Sequence, residues 1–169
     1  IYILQTKYLI NAAGIFSAEI AKLIDKTRQL DIQYIKGEYY SYSGKEQINH
    51  LIYPVPGKLS LGLHATLDLG RGIKFGPSAV ETKKLDYKVE EENKKDFLKS
   101  LQHYWPSIQE NNLFPDYSGI RAKVRGAEDF NIEKIDGKNK IAINIIGYIS
   151  PGLTSSLALG EKITDLVKS

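Results

Sequence analysis

The chain contains no cysteine and no methionine. Without cysteine, a disulfide framework, a Cys-ligated zinc or iron–sulfur centre and a thiol nucleophile are all excluded for these residues. Any redox group has to be brought in. Methionine is missing even from position 1, which is Ile1, so the expectation is that further polypeptide, a missing domain rather than a short leader, precedes it. No apolar run approaches the ~20 residues that cross a bilayer, and no charged-then-apolar leader with a small-residue cleavage site is present. Charge of either sign is nowhere concentrated. The 23 Lys and Arg outnumber the 20 Asp and Glu by three and are spread along the chain, which argues against a nucleic-acid partner. The expected location is cytoplasmic, with peripheral contact to an inner membrane left open.

What is present suits an ordinary folded domain: 169 residues, 42% hydrophobic and 25% charged, are enough for a real core. Leu4 to Ala12 reads as a buried strand that runs into the small residues Asn11-Ala12-Ala13-Gly14. Ser17 then precedes Ile20, Leu23 and Ile24 at helical spacing, the pattern of an N-capped amphipathic helix. Strand, small-residue turn and helix in that order are the grammar of a nucleotide-binding α/β layer.

From Ile32 to Gly76 the period changes to two, in runs at Ile32 and Tyr34, Glu38–Tyr42, Leu51–Val55, Leu61–Thr66 and Ile73–Phe75. Turn residues at Ser43-Gly44-Lys45, Pro56-Gly57-Lys58 and Gly70-Arg71-Gly72 separate them, and an antiparallel sheet follows. Val89 to Tyr104 reads as a charged helix with Phe97, Leu98 and Leu101 as its stripe, with room for a second helix over Ile108–Asn111. Arg121–Asp129 and Ile141–Ile146 read as strands joined by a turn at Asp136-Gly137-Lys138, and Thr154–Val167 as a closing helix. The expected fold is α+β, with 1–31 and 121–169 as pieces of one domain and 32–120 as an antiparallel domain.

Several residues are candidates for chemistry. Ser150-Pro151-Gly152-Leu153-Thr154 feeds a loop into a helix, whose free N–H groups either meet a ligand that gains negative charge or are capped by Thr154 or Ser155. Ala12, Ala13 and Gly14 let a ligand approach the backbone, or simply turn the chain. Arg121 suits bidentate pairing with a carboxylate or is a surface charge, and Arg125 either supports it or is one too. Of the three histidines only His64 has a suggestive setting, opposite in alternation to Leu63, where it is a base or a hydrogen-bonded sheet residue. Tyr39, Tyr40, Tyr42 and Tyr53 suit a pocket with apolar sides and polar tips, or sheet packing.

Seven segments in order carry a resemblance: Leu9 to Gly14, Lys36 to Tyr40, His50 to Pro56, Leu61 to Thr66, Gly76 to Ala79, Gly119 to Arg121 and Ser150 to Ser156. Together they resemble the D-amino-acid-oxidase-like FAD oxidoreductases, and within them the L-2-hydroxyglutarate dehydrogenases and oxidases. The resemblance implies FAD as cofactor, a small carboxylate as substrate, and an N-terminal FAD-binding half, because no G-x-G-x-x-G occurs here. By the same resemblance Ala12, Ala13 and Gly14 line the FAD cleft, and Ser150, Gly152, Leu153 and Thr154 face the isoalloxazine. Arg121 binds the substrate carboxylate, while His64, with Tyr40 or Tyr53, lines the substrate side, and the base is either His64 or a residue upstream of this sequence. Ile149 stands where relatives tend to carry an acid. Amino-acid or glycine oxidation and a catalytically silent remnant are the alternatives.

Overall fold

Alternating apolar side chains and two amphipathic stripes organise the computed structural model, which describes residues 2–45, 47–55 and 62–168. The architecture is α+β. The chain divides into two compact units, Ile1–Tyr34 with Arg121–Ser169, and Ile35–Ile120.

In the first unit, strand β1 (Tyr8–Asn11) leads through a 3₁₀ turn (Gly14–Phe16) into helix α1 (Ser17–Ile24). Strands β7 (Asn131–Gly137) and β8 (Lys140–Ile146) follow later in the chain and precede helix α3 (Gly152–Lys168). The sheet order is β1-β8-β7, with β1 parallel to β8 and β8 antiparallel to β7. Asn139, at φ 61°, makes the tight turn of the β7–β8 hairpin. Ile143 and Ile145 of β8 pack with Ile163 of α3, joined by Ile132, Leu159 and Leu166, and α1 lies against β8. β1 is shorter than the run of apolar residues suggested. Ser17 is buried in the first turn of α1 and makes no capping hydrogen bond, because the 3₁₀ turn has already bent the chain into the helix.

The second unit holds β3 (His64–Leu67), β4 (Ile73–Gly76), β5 (Val80–Thr82) and most of β2 (Ile32–Tyr42) and β6 (Leu113–Val124), whose first and last few residues respectively belong to the first unit; the sheet order is β3-β4-β2-β5, and β6 also pairs with β2. Helix α2 (Lys94–Leu101) covers one face. Tyr40, Ala65, Ile73 and Phe75 from the strands meet Phe97 and Leu101 from the helix, with Ile108 and Leu113. Each of the larger of these side chains contributes about 1.5–3 kcal/mol by leaving water.

Several expected elements differ. Leu51–Val55 is not a strand; among the described residues its one ladder contact is the bridge Ile52↔Ala65. The turn at Pro56-Gly57-Lys58 and Leu61 lie outside the described residues. The helix expected from Val89 begins only at Lys94, after a 3₁₀ turn over Glu91–Asn93. The cause is Glu38, a buried carboxylate on β2 that accepts hydrogen bonds from Asn93 Nδ2 at 2.6 Å and the Glu90 N–H at 3.4 Å, with Lys36 at 3.1 Å. These bonds hold Glu90 extended. The helix expected at Ile108–Asn111 is a single 3₁₀ turn, Glu110–Asn112. The strand expected to start at Arg121 starts at Leu113, and β7 was hidden by its mixture of charged and apolar residues. Among the described residues no helix is long and apolar enough to cross a membrane.

Candidate functional site

Because β1 and β8 are parallel neighbours, with Asn11 opposite Asn144, the chain leaves both at the same end of the sheet. That end is where open α/β sheets hold ligands. After β1 come Ala12, Ala13 and Gly14, all exposed. Gly14 has φ +58°, and a Cβ there would meet nothing within 4 Å, so the turn leaves space in front of its backbone. A clamp beneath holds it. Asn11 Nδ2 donates to the Ser17 carbonyl and to Asn144 Oδ1, each at 2.8 Å, and Asn11 Oδ1 accepts the Ala13 N–H at 3.3 Å. Asn11 and Asn144 are buried. The sequence reading missed this pair as a functional element. Its signal was an amide ending one apolar run, Leu9-Ile10-Asn11, and interrupting another, Ile143-Asn144-Ile145.

After β8 the loop Gly147–Pro151 enters α3, which starts at Gly152 rather than Thr154. Gly152, Leu153 and Thr154 are therefore its first turn. The Gly152 N–H donates to the Ile149 carbonyl at 2.6 Å and the Ser155 N–H to the Pro151 carbonyl at 3.0 Å. Leu153 and Thr154 precede any in-helix acceptor, so their amides point away from the helix. Neither hydroxyl caps them: Ser155 Oγ donates to the Pro151 carbonyl at 3.1 Å and contacts the Tyr148 phenol at 2.8 Å. Gly152 is buried beneath that phenol ring, where a Cβ would sit 3.0 Å from two ring carbons. Ser150, Thr154 and Leu153, the last 92% exposed, border an open depression of about 620 Å³. A second hollow of about 360 Å³ lies along Lys123, Glu128, Phe130 and Gly147 and shares Ser150 and Pro151.

In the second unit the register aligns Tyr40 and Ala65 with Phe75, and Ser41 and Thr66 with Lys74. Side chains alternate along a strand, so His64 and Lys74 lie on the face opposite the core. The His64 and Tyr53 rings touch with their planes tilted by 48° and centroids 4.1 Å apart, and Tyr53 is 58% exposed. Tyr40 is a correction: it is fully buried against Phe97, its hydroxyl donates to the Glu90 carbonyl, and it cannot line a pocket on the His64 face. Burial, and then the Glu38 charge, push its phenol up to about 12. Its neighbour Tyr39 stacks instead on Tyr117 at 4.5 Å, with Lys74 Nζ 5.2 Å from the Tyr117 ring and 2.7 Å from Asp116. That hydrogen bond from Lys74 to Asp116 raises the lysine pKa.

Arg121, on β6 in the first unit, is half-buried, and among the described residues no carboxylate pairs with it. Arg125 is different. It lies beyond the end of β6, and its exposed Nε pairs with Asp31 at 2.9 Å. Among the described residues no group of three or more His, Asp or Glu is placed to hold a metal ion.

The family model for FAD dependent oxidoreductases matches residues 3–166. The chain belongs to that family. FAD is the family's cofactor, and the free first-turn amides of α3 with the open turn at Gly14 fit a large, electron-rich ligand. The chain is 34% identical over 93% of its length to the mitochondrial L-2-hydroxyglutarate dehydrogenase of Arabidopsis thaliana, and 29% identical over 95% to the L-2-hydroxyglutarate dehydrogenase of Indibacter alkaliphilus. It spans 37% and 50% of those two relatives. A glycerol 3-phosphate oxidase of Mycoplasma genitalium is 30% identical over 96% of the chain. Among solved structures, the FAD-bound L-alpha-glycerophosphate oxidase of Mycoplasma pneumoniae aligns with a TM-score of 0.80 at 21% identity, covering 95% of this chain and 42% of that one. A glycine oxidase of Bacillus cereus aligns at 0.69 and 15%, covering 98% and 43%. These two likenesses establish the fold.

Proposed function

We propose that the chain supplies part of the flavin site and the substrate side of an enzyme that oxidises a small 2-hydroxy acid, such as L-2-hydroxyglutarate, to the 2-oxo acid. The observation that carries this reading is the shared exit of β1 and β8, which brings the Ala12–Gly14 turn and the Ser150–Thr154 loop to one end of a parallel pair. Residues 1–31 and 121–169 then serve the cofactor, apart from Arg121 at the boundary, and 32–120 with Arg121 serve the substrate. FAD, when bound, supplies the two-electron acceptor. Arg121 pairs with the substrate carboxylate through its planar fork. His64, its ring held by Tyr53, takes the proton from the substrate hydroxyl. The second carboxylate of a hydroxyglutarate needs a second cation, assigned here to the rest of the protein.

A further FAD-binding half is part of the proposal, because this sequence has no glycine-rich fingerprint and spans half or less of the two dehydrogenases. Strand β1 supports it. Parallel strands are normally covered on both faces, yet β1 has a free edge and Tyr8, Leu9 and Ile10 are close to half exposed. A cytoplasmic location goes with this reading, and peripheral contact with an inner membrane is its alternative.

Steady-state turnover of the complete protein with L-2-hydroxyglutarate, glycerol 3-phosphate and glycine tests the substrate. The expected result is preference for the hydroxy acid, with Arg121→Ala raising KM roughly 10- to 100-fold. Faster turnover of glycine or glycerol 3-phosphate overturns it, and no turnover of any of the three favours a silent remnant.

A further inference from the structure

With Tyr40 in the core, its neighbour Tyr39 is the β2 tyrosine on the face that carries His64. Antiparallel pairing sets His64 opposite Gly76, and the register that aligns Tyr40 with Phe75 sets Tyr39 beside Gly76 one step along. Paired residues on neighbouring strands share a face, so His64, Gly76 and Tyr39 form one row across β3, β4 and β2. The middle position has no side chain, and the ring of Tyr39 fills its place. A Cβ on the buried Gly76 would stand 2.6 Å from Tyr39 Cδ1 and 2.8 Å from Tyr39 Cγ.

Tyr39 therefore leans across β4 towards His64, and it is held there. Its ring stacks on Tyr117, with centroids 4.5 Å apart and planes 14° from parallel. The backbone beneath is tied between strands: the Ser78 N–H donates to the Glu38 carbonyl at 3.1 Å, and the Glu38 N–H donates to Ser78 Oγ at 2.9 Å. At the other end of the row His64 meets Tyr53, which is exposed and lies outside the strands. Of these two tyrosines, Tyr39 is the one with a fixed ring.

We propose that Tyr39 determines substrate length, its ring being the wall against which the carbon chain of the acid ends. The proposal rests on the reading of His64 as the group that takes the proton from the hydroxyl of a small 2-hydroxy acid. With that hydroxyl at His64, a chain that runs along the sheet face towards β2 reaches the Tyr39 ring after about one strand spacing, roughly 5 Å. The ring cannot swing aside without giving up its stack on Tyr117. A short chain rests against its apolar face, and a longer one collides with it. One methylene too many in a closed apolar site costs about 10- to 200-fold in selectivity.

The test is binding of 2-oxoglutarate and of 2-oxoadipate, one methylene longer, to the flavin-loaded complete protein, followed by the change in flavin absorbance. The unsubstituted protein is expected to prefer the shorter acid, and Tyr39→Ala to move the ratio of the two Kd values towards the longer acid by about tenfold. A merely structural role would weaken both acids together and leave the ratio alone. Tyr39→Leu is also shorter than tyrosine but keeps an apolar side chain against Tyr117; it is expected to move the ratio in the same direction and decides should Tyr39→Ala not fold. An unchanged ratio, or no preference in the unsubstituted protein, overturns this proposal alone. Failure of the unsubstituted protein to bind either acid overturns the 2-hydroxy-acid reading and this proposal with it.

Discussion

In the second unit the rings of Tyr40, Phe75 and Phe97 are buried between strands and α2, whereas in the first unit much of the apolar surface of β1, α1 and the start of α3 stands in water. Tyr8, Leu9, Ile10, Phe16, Leu23, Leu153 and Leu157 are all exposed there, and they lie in or beside regular elements. Exposed apolar residues of the second unit, such as Leu51, Val55, Leu69 and Leu85, sit mostly in connecting segments. The second unit has a closed core of its own. The first leaves apolar residues exposed on β1, which lies at the edge of its sheet, on α1 and at the start of α3.

The sharpest way to break the comparison is to delete matched side chains. Phe97→Ala removes a ring that is almost fully buried and is expected to cost about 3–5 kcal/mol. Leu157→Ala, at a position 85% exposed, is expected to change stability by less than about 0.5 kcal/mol. Denaturant unfolding of both variants measures this, and equal losses would erase the distinction.

Glycines sharpen it next. A Cβ at Gly76, φ +149°, would lie 2.6 Å from the Tyr39 ring and 2.7 Å from the Glu38 carbonyl, so Gly76→Ala is expected to cost about 1–3 kcal/mol. The Tyr39–Tyr117 stack should be displaced with it, visible in near-ultraviolet circular dichroism. Gly14→Ala meets only open space and carries just the left-handed backbone strain, about 1–2 kcal/mol at most.

The smallest effect is alkaline. Burial raises the phenols of Tyr40 and Tyr104 from 10.0 to about 12. Below pH 10 both are protonated in folded and unfolded chains alike, and their contribution is complete. As pH rises towards about 12 the unfolded chain loses these protons first, so stability falls. Unfolding midpoints and phenolate absorbance followed over that window should show the loss, reduced in Tyr104→Phe. A flat profile would mean that these rings are not buried.

Much of this was legible from pattern. The period of two marked β2 and β4, an almost continuous apolar run marked β8, and the apolar stripes marked α2 and α3. Extents were harder, because tertiary bonds decide them: Glu38 and the Tyr40 hydroxyl hold Glu90 extended and delay α2. Pro115 and Gly119 disguised β6, since neither residue favours a strand interior. The candidate site was legible as residue types but not as faces. Tyr39 and Tyr40 are adjacent and chemically alike, and only the register with β4 sends one to the core and the other to the opposite side. The Asn11–Asn144 clamp joins residues 133 positions apart, a pairing no local pattern contains.

The central claim is that the first turn of α3 offers its free amides to the flavin, and replacing one of them tests it most directly. Leu153→Pro removes a single N–H at a helix position where proline is tolerated, and Leu153→Ala keeps it. Equilibrium FAD affinity of the complete protein, measured by flavin fluorescence, should fall about tenfold in Leu153→Pro and hardly change in Leu153→Ala, with both variants folded. Equal affinity in the two would contradict the account.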